Sequence, residues 1–85
     1  MKENKVLVIL SVPEIDETYD LLVPIDRKIG NIIELFQKFL LEITEGNYKI
    51  DVHKNIYNSQ SNQPYDINSL LIDTDIRNGT KLILL

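Results

Sequence analysis

The pattern of apolar and polar positions begins with a short apolar run that is typical of a buried β-strand. Residues 5–12 are β-branched and apolar on both faces, which is typical of a strand in the middle of a sheet. Turn-forming residues at positions 13–17 follow, and residues 18–23 resume an extended pattern that Pro24 ends. The short connection between the two segments predicts a β-hairpin.

The period then changes to that of one face of an α-helix, with apolar residues three and four positions apart. The predicted buried face comprises Ile29, Ile32, Ile33, Phe36, Leu40 and Ile43. Leu35 and Phe39 widen this stripe, whereas Leu41 points outward. Asp26 is the expected N-terminal cap, and residues 46–47, Gly-Asn, end the helix because they tolerate a positive φ.

Alternation with period two returns after the helix. Residues 48–53 are predicted to form a strand with Tyr48, Ile50 and Val52 directed inward. Residues 56–57 are a candidate for a further short strand, which leaves the number of strands in the sheet at four or five.

The last part of the chain combines two turns with a final strand. Residues 70–73 are long enough for one 3₁₀ turn, with Ile76 behind them as a core residue. Asn78-Gly79 is a tight-turn dipeptide. Residues 80–85 then close the chain as a strand, in which Leu82 and Leu84 face the helix.

The order ββαββ(β) predicts an α+β domain of the β-grasp, or ubiquitin-like, type. The 85 residues are expected to form a single domain, 1–85, with a thin core. In this fold the first and last strands are central and parallel, and one helix crosses one face of a mixed sheet. A single helix covers a single face, so the other face stays open to solvent or a partner.

Composition excludes several function classes. The formal net charge is −4, and the basic residues are scattered, so the chain lacks the basic stripe of a nucleic-acid binder. No apolar run is long enough for membrane insertion, and residues 6–10 are too short for a signal peptide. There is no Cys, and His53 is the only His. We therefore expect no metal site, no cofactor and no catalytic activity.

Two segments resemble a known family. They are residues 18–24 with 29–33, and residues 71–84, which include Asp73, Asp75 and Gly79. Both are similar to the YukD-type ubiquitin-like proteins, of which EsaB is another member, that accompany bacterial type VII secretion systems. These motifs mostly maintain the β-grasp fold.

The resemblance implies a cytoplasmic, non-catalytic accessory or regulatory protein. Its partner would be the cytoplasmic part of a type VII secretion membrane component. An adaptor domain unrelated to secretion is an alternative. A ubiquitin-like modifier or sulfur carrier is another, but such proteins end in a flexible Gly-Gly tail. Because this sequence ends at Leu85 without one, no conjugation is expected.

The open face of the sheet is the expected interaction surface. If Leu82 and Leu84 face inward, Ile83 and Leu85 face outward. On the first strand, either Val6, Val8 and Leu10 or Leu7 and Ile9 share that face, and the pattern does not decide between these sets. The candidate surface is Ile83, Leu85, Leu7 and Ile9. Scattered exposed apolar residues, or a homodimer contact, are the alternatives to partner docking.

Overall fold

The structure is a computed structural model that describes residues 4–85, so residues 1–3 of the expected domain lie outside it. Its regular elements are strand β1 (Lys5–Val12), strand β2 (Glu17–Pro24), helix α1 (Ile29–Ile43), strand β3 (Ile56–Asn58) and strand β4 (Thr80–Leu84). Single 3₁₀ turns follow β1 at Pro13–Ile15 and precede β4 at Leu71–Asp73. The structure confirms the predicted hairpin, helix and final strand, and the predicted 3₁₀ turn at residues 71–73.

The four strands form one mixed sheet in the order β2-β1-β4-β3. Strands β1 and β2 are antiparallel, β1 and β4 are parallel, and β3 and β4 are antiparallel. The first and last strands are therefore central and parallel, which confirms the β-grasp prediction. The predicted short strand at 56–57 is the third strand, extended by Asn58.

The core lies between the sheet and one face of α1. Its buried strand residues are Val8, Leu10, Val12, Val23, Ile56, Leu82 and Leu84, and its helical residues are Ile29, Ile32, Ile33, Phe36 and Leu40. Leu71 and Ile76 also belong to this core, and Ile76 is the core residue that the sequence predicted there. The helical stripe is narrower than predicted, because Leu35 and Ile43 are 41% and 44% exposed.

Backbone carbonyls, and not the predicted Asp26 side chain, satisfy the start of the helix. The N-cap is Lys28, with no side-chain cap, and the N–H groups of Ile29 and Gly30 donate to Ser69 O and Ile67 O at 2.9 Å. A Cβ added at Gly30 would lie 3.3 Å from Ile67 O, so glycine permits this close approach. The helix ends at Ile43, and Glu45 and Gly46 follow with φ of 54° and 86°; of the predicted pair Gly46-Asn47, Gly46 alone has a positive φ.

The predicted strand at residues 48–53 is wrong. This segment is irregular; Tyr48 is buried, but Ile50 and Val52 are 50% and 88% exposed. The buried side chain of Gln37 accounts for the difference. Its amide group donates to Asp51 O at 2.9 Å and accepts from Asp51 N–H at 2.8 Å, in place of a neighbouring strand.

The turn before β4 fixes the register of the parallel pair. Gly79 has φ +88°, and its N–H donates to Leu7 O at 2.8 Å. The side-chain oxygen of Asn78 accepts from Leu7 N–H, also at 2.8 Å. The predicted turn at these residues is confirmed, and it docks β4 onto β1.

We expect Gly79→Ala to lower the free energy of unfolding by about 1–2 kcal/mol. No atom lies within 4 Å of a Cβ built at Gly79, so the cost is that of the positive φ alone. Urea denaturation of the two proteins measures it. Gly79→Asn is the control, because asparagine tolerates this conformation and should lose less; equal losses would contradict the conformational explanation.

Candidate protein-interaction surface

The alternation of side chains settles which residues of the first strand face outward. Val8 and Leu10 are fully buried beneath the helix, so Leu7 and Ile9 point to the other side of the sheet. Leu7 is 37% exposed and Ile9 is half-buried. On β4, Leu82 is buried and Ile83 lies on the outward side, half-buried.

The outward side of the sheet, called the open face below, holds all four predicted surface residues. Ile83 lies beside Ser11 of β1 and Tyr57 of β3. Leu85 continues the alternation of β4 and is 54% exposed; its backbone exchanges two hydrogen bonds with Asn55, at 2.9 and 3.0 Å. The structure thus places the four residues on one face of two neighbouring strands.

These residues form a diagonal stripe across the sheet. Ile9 pairs with Lys81 in the parallel register, and Ile83 stands two positions beyond Lys81. Ile83 lies opposite Ser11, two positions after Ile9, so Ile9 and Ile83 are diagonal neighbours on one face. The stripe therefore runs from Leu7 through Ile9 to Ile83 and Leu85, with Lys81 on its flank.

Leu22 extends the stripe, and the sequence analysis missed it. It lies directly opposite Leu7 on β2 and is 65% exposed. Leu21, Leu22 and Val23 are consecutive apolar residues, so their pattern alone does not show which of them faces outward. The antiparallel register supplies that information, because residues opposite each other share a face.

A groove on the helix side of the molecule forms a second apolar surface. It has a volume of about 460 Å³ and lies between the first half of α1 and the irregular segment after it. Its apolar lining includes Ile33, Ile50, Val52 and Ile67. Ile50 and Val52 were predicted to be core residues, and they are exposed here because residues 48–53 leave the sheet.

Comparison with known proteins identifies the fold. No protein-family profile matches the sequence, and no curated protein matches it significantly. Among solved structures, the ubiquitin-like domain of EccD5 from Mycobacterium xenopi has a TM-score of 0.78 at 13% identity, covering 98% of this chain and 94% of that one. The chain has the ubiquitin-like fold.

Two further solved structures are similar to this chain. A chain of the MycP5-free ESX-5 inner membrane complex has a TM-score of 0.78 at 12% identity; the match covers 98% of this chain and 21% of that one. The ubiquitin-like domain of an Arabidopsis thaliana protein has a TM-score of 0.69 at 13% identity, covering 98% and 78%. At such low identities the similarity shows the fold and not the function.

Two pairs of titratable side chains form local contacts, Tyr65 with Asp75 and Lys54 with Glu14. Burial raises the pKa of Tyr65 to about 12, helped by the hydrogen bond that its hydroxyl donates to Asp75 at 2.6 Å. A hydrogen bond to Glu14, 2.8 Å long, raises the pKa of Lys54. His53 is exposed. Within residues 4–85, no group of three or more His, Asp or Glu side chains is arranged to hold a metal ion.

In the part of the chain that the structure describes, no helix combines the length and apolarity that a membrane span requires.

Proposed function

We propose that this chain is a non-catalytic protein-interaction module that binds a partner protein through its open face. One observation carries the proposal: α1 covers one side of the sheet, while Leu7, Ile9, Leu22, Ile83 and Leu85 form an apolar stripe on the uncovered side. Apolar stripes of this kind, rimmed by polar residues, are typical of protein-binding surfaces. Its rim includes the charged residues Asp20 and Lys81.

We further propose that the module acts in the cytoplasm as an accessory or regulatory component of a bacterial type VII secretion system. Its partner would be the cytoplasmic part of a membrane component. Two lines support this assignment: the resemblance of residues 18–24, 29–33 and 71–84 to YukD-type proteins, and the similarity in fold to the EccD5 domain and to a chain of the ESX-5 inner membrane complex.

The second candidate function is that of an adaptor domain unrelated to secretion, which the similar fold of the Arabidopsis domain favours. The genes beside this one distinguish the two. Neighbouring genes for small helical secreted proteins and an FtsK-like ATPase are expected under the secretion proposal. Their absence would favour the general adaptor.

The docking surface is tested by charge insertion at the open face. Ile83→Asp and Leu85→Asp should each reduce recovery of the membrane component at least about tenfold in affinity purification from the native host, because an unpaired carboxylate would be buried in the contact. Leu85 is 54% exposed, so its variant should fold normally; thermal denaturation checks both proteins.

Val52→Asp is the matched control. Val52 is 88% exposed and lies in the helix-side groove, so this variant adds the same charge to the other apolar surface. Normal recovery with Val52→Asp and loss with the open-face variants is the expected result. The reverse result would assign docking to the groove. A concentration-dependent dimer that Ile83→Asp disrupts would mean instead that a second copy covers the open face.

A further inference from the structure

The turn before β4 contains the one asparagine of the chain that is followed by glycine. Asn78 and Gly79 are both exposed, and every other asparagine precedes a residue with a side chain. Asparagine is a thermolabile residue, because its side-chain amide can be lost as ammonia. Glycine has no Cβ to hinder the approach of its backbone nitrogen to that side chain. Residues 78–79 are therefore the pair at which this chain deamidates most easily.

Deamidation of such a pair needs water as its co-reactant. The backbone nitrogen of Gly79 gives up its proton to water or hydroxide and forms a bond to Cγ of Asn78, and the side-chain nitrogen leaves as ammonia. Water then opens the resulting cyclic imide at one of its carbonyl carbons. The product is either aspartate or isoaspartate, in which the main chain runs through the Cβ and Cγ atoms of residue 78.

The folded structure holds both reacting groups in hydrogen bonds to Leu7. The side-chain oxygen of Asn78 accepts from Leu7 N–H at 2.8 Å, which fixes the orientation of the side-chain amide. The N–H of Gly79 donates to Leu7 O at 2.8 Å. A hydrogen bond donated by the neutral group opposes its deprotonation, so this bond keeps the proton on the attacking nitrogen. Ring closure therefore requires the release of both groups from Leu7.

Release of the turn from Leu7 is coupled to the central pair of strands. Within the turn, Thr80 N–H donates to Arg77 O at 3.1 Å and Arg77 N–H donates to the Thr80 side chain at 2.8 Å. Thr80 begins β4 and lies opposite Val8, a fully buried residue of β1. Movement of the turn therefore separates β1 from β4 and exposes the core, an opening that is rare in a folded domain.

Solvent already reaches the turn in the folded chain. A polar cavity of about 350 Å³ lies against it, with Asp75, Asn78, Gly79 and Lys81 among its lining residues. Water can therefore enter and ammonia can leave at this position. The hydrogen bonds to Leu7, and not burial, are what protect the pair.

The two products differ in what they offer to Leu7. In aspartate, a side-chain oxygen still accepts from Leu7 N–H, and Gly79 N–H still donates to Leu7 O. In isoaspartate, the former side-chain carbonyl and the Gly79 N–H belong to one peptide group. The C=O and N–H of a planar trans peptide point in opposite directions, so this group cannot form both bonds to Leu7.

We propose that Asn78 is a modification site at which the chain deamidates only when β1 and β4 separate, and that the isoaspartyl product keeps this pair of strands from closing in its native register. Opening of the central pair is thereby converted from a reversible event into a permanent covalent change. Strand β4 carries Ile83, and Leu85 follows it, so the change also removes part of the open face.

This modification site does not depend on the proposed function. Its chemistry and its protection both follow from Leu7, Asn78 and Gly79, and its readouts are covalent and structural. Failure of the open face to bind a partner would leave the site unaffected, and failure of the site would leave the docking proposal unaffected.

The first test compares the folded whole chain with the same chain unfolded in guanidinium chloride, in one mildly alkaline buffer. Proteolysis and mass spectrometry measure the conversion at each asparagine, and enzymatic methylation of isoaspartyl groups measures that product. In the unfolded chain, Asn78 should convert faster than Asn58 and Asn68, which precede serine. Folding should slow the conversion at Asn78 at least about a hundredfold.

A matched pair of helix variants tests whether strand separation controls the reaction. Leu40 is fully buried, so Leu40→Ala should favour opening and accelerate conversion at Asn78 at least about tenfold in the folded chain. Leu41 is 36% exposed, so Leu41→Ala should change the rate by less than about threefold. Hydrogen exchange at the Leu7 and Gly79 amides should accelerate by the same factor as the deamidation, because one opening exposes all three groups.

The final test compares the two products. The isoaspartyl chain, purified after reaction in the unfolded state and then refolded, should exchange its Leu7 amide at least about tenfold faster than the unmodified chain. Asn78→Asp is the control, because it carries a carboxylate at the same position with a normal main chain. It should retain protection of Leu7.

Three results would overturn the proposal. The first is conversion at Asn78 that is as fast in the folded chain as in the unfolded chain. The second is a rate that Leu40→Ala leaves unchanged, or that Leu41→Ala raises equally, because a local movement of the turn would then suffice. The third is an isoaspartyl chain whose Leu7 amide is protected as well as that of the unmodified chain.

Discussion

Phe36→Ala is expected to lower the free energy of unfolding by about 3–5 kcal/mol. Phe36 is 2% exposed and is the largest of the fully buried side chains of the core. Alanine would remove its apolar contacts and leave a cavity that so small a core fills only in part. A domain of this size is stabilised by roughly 5–10 kcal/mol, so the variant should be marginally folded at room temperature. Urea denaturation followed by circular dichroism measures the change.

Leu35→Ala is the matched control for Phe36→Ala. It removes a large apolar side chain at the neighbouring position of the same helix, and alanine is a strong helix former at both sites. Because Leu35 is 41% exposed, we expect a loss below about 1 kcal/mol. Similar losses at the two positions would show that the helix rotates relative to the sheet, and would contradict the core described here.

The regular framework was predictable because its patterns are strong and local. The predicted apolar stripe runs from Ile29 to Ile43, and α1 spans these residues. Residues 5–12 and 80–85 predicted the two central strands. Central strands are buried on one face and partly covered on the other, so their apolar runs identify them. Because these runs are apolar without interruption, they do not show which side chains face the core. Val8 and Ile9 are equally apolar, and the register of β1 with β2 and β4 determines that Val8 is the buried one.

The interaction surfaces were predictable only in part, for the same reason. Ile83 and Leu85 followed from the alternation of the last strand, which is fixed by Leu82 facing the helix. The outward position of Leu22 depends on which residues lie opposite each other across the hairpin. That pairing is a long-range property, and the contiguous residues Leu21 and Leu22 do not encode it.

The error at residues 48–53 came from a polar residue inside the helix stripe. Gln37 lies among apolar neighbours and is 3% exposed, so its amide group required buried hydrogen-bond partners. Asp51 supplies them through its backbone, and Thr44 accepts from Tyr48 N–H at 2.9 Å. Period-two alternation predicted a strand, but these side-chain contacts attach the segment to the helix instead.

Gln37→Leu therefore has the second largest expected effect, a loss of about 2–3 kcal/mol in the free energy of unfolding. Leucine keeps the approximate volume but removes both bonds to Asp51 and the acceptor, at 3.1 Å, of the Tyr48 hydroxyl. The Asp51 backbone lies in an exposed residue and can turn to water, whereas Tyr48 is 3% exposed. Most of the loss should come from leaving that hydroxyl buried without an acceptor.

A double-mutant cycle with Tyr48→Phe separates the two contributions. If the orphaned hydroxyl dominates, removing it should restore part of the stability, so the double variant should lose less than the sum of the single variants. Strict additivity would contradict that explanation. Hydrogen exchange at the Asp51 amide provides the second measurement: it should accelerate in Gln37→Leu and in the double variant, but not in Tyr48→Phe, because the amide bond to Gln37 attaches the segment independently of the phenol.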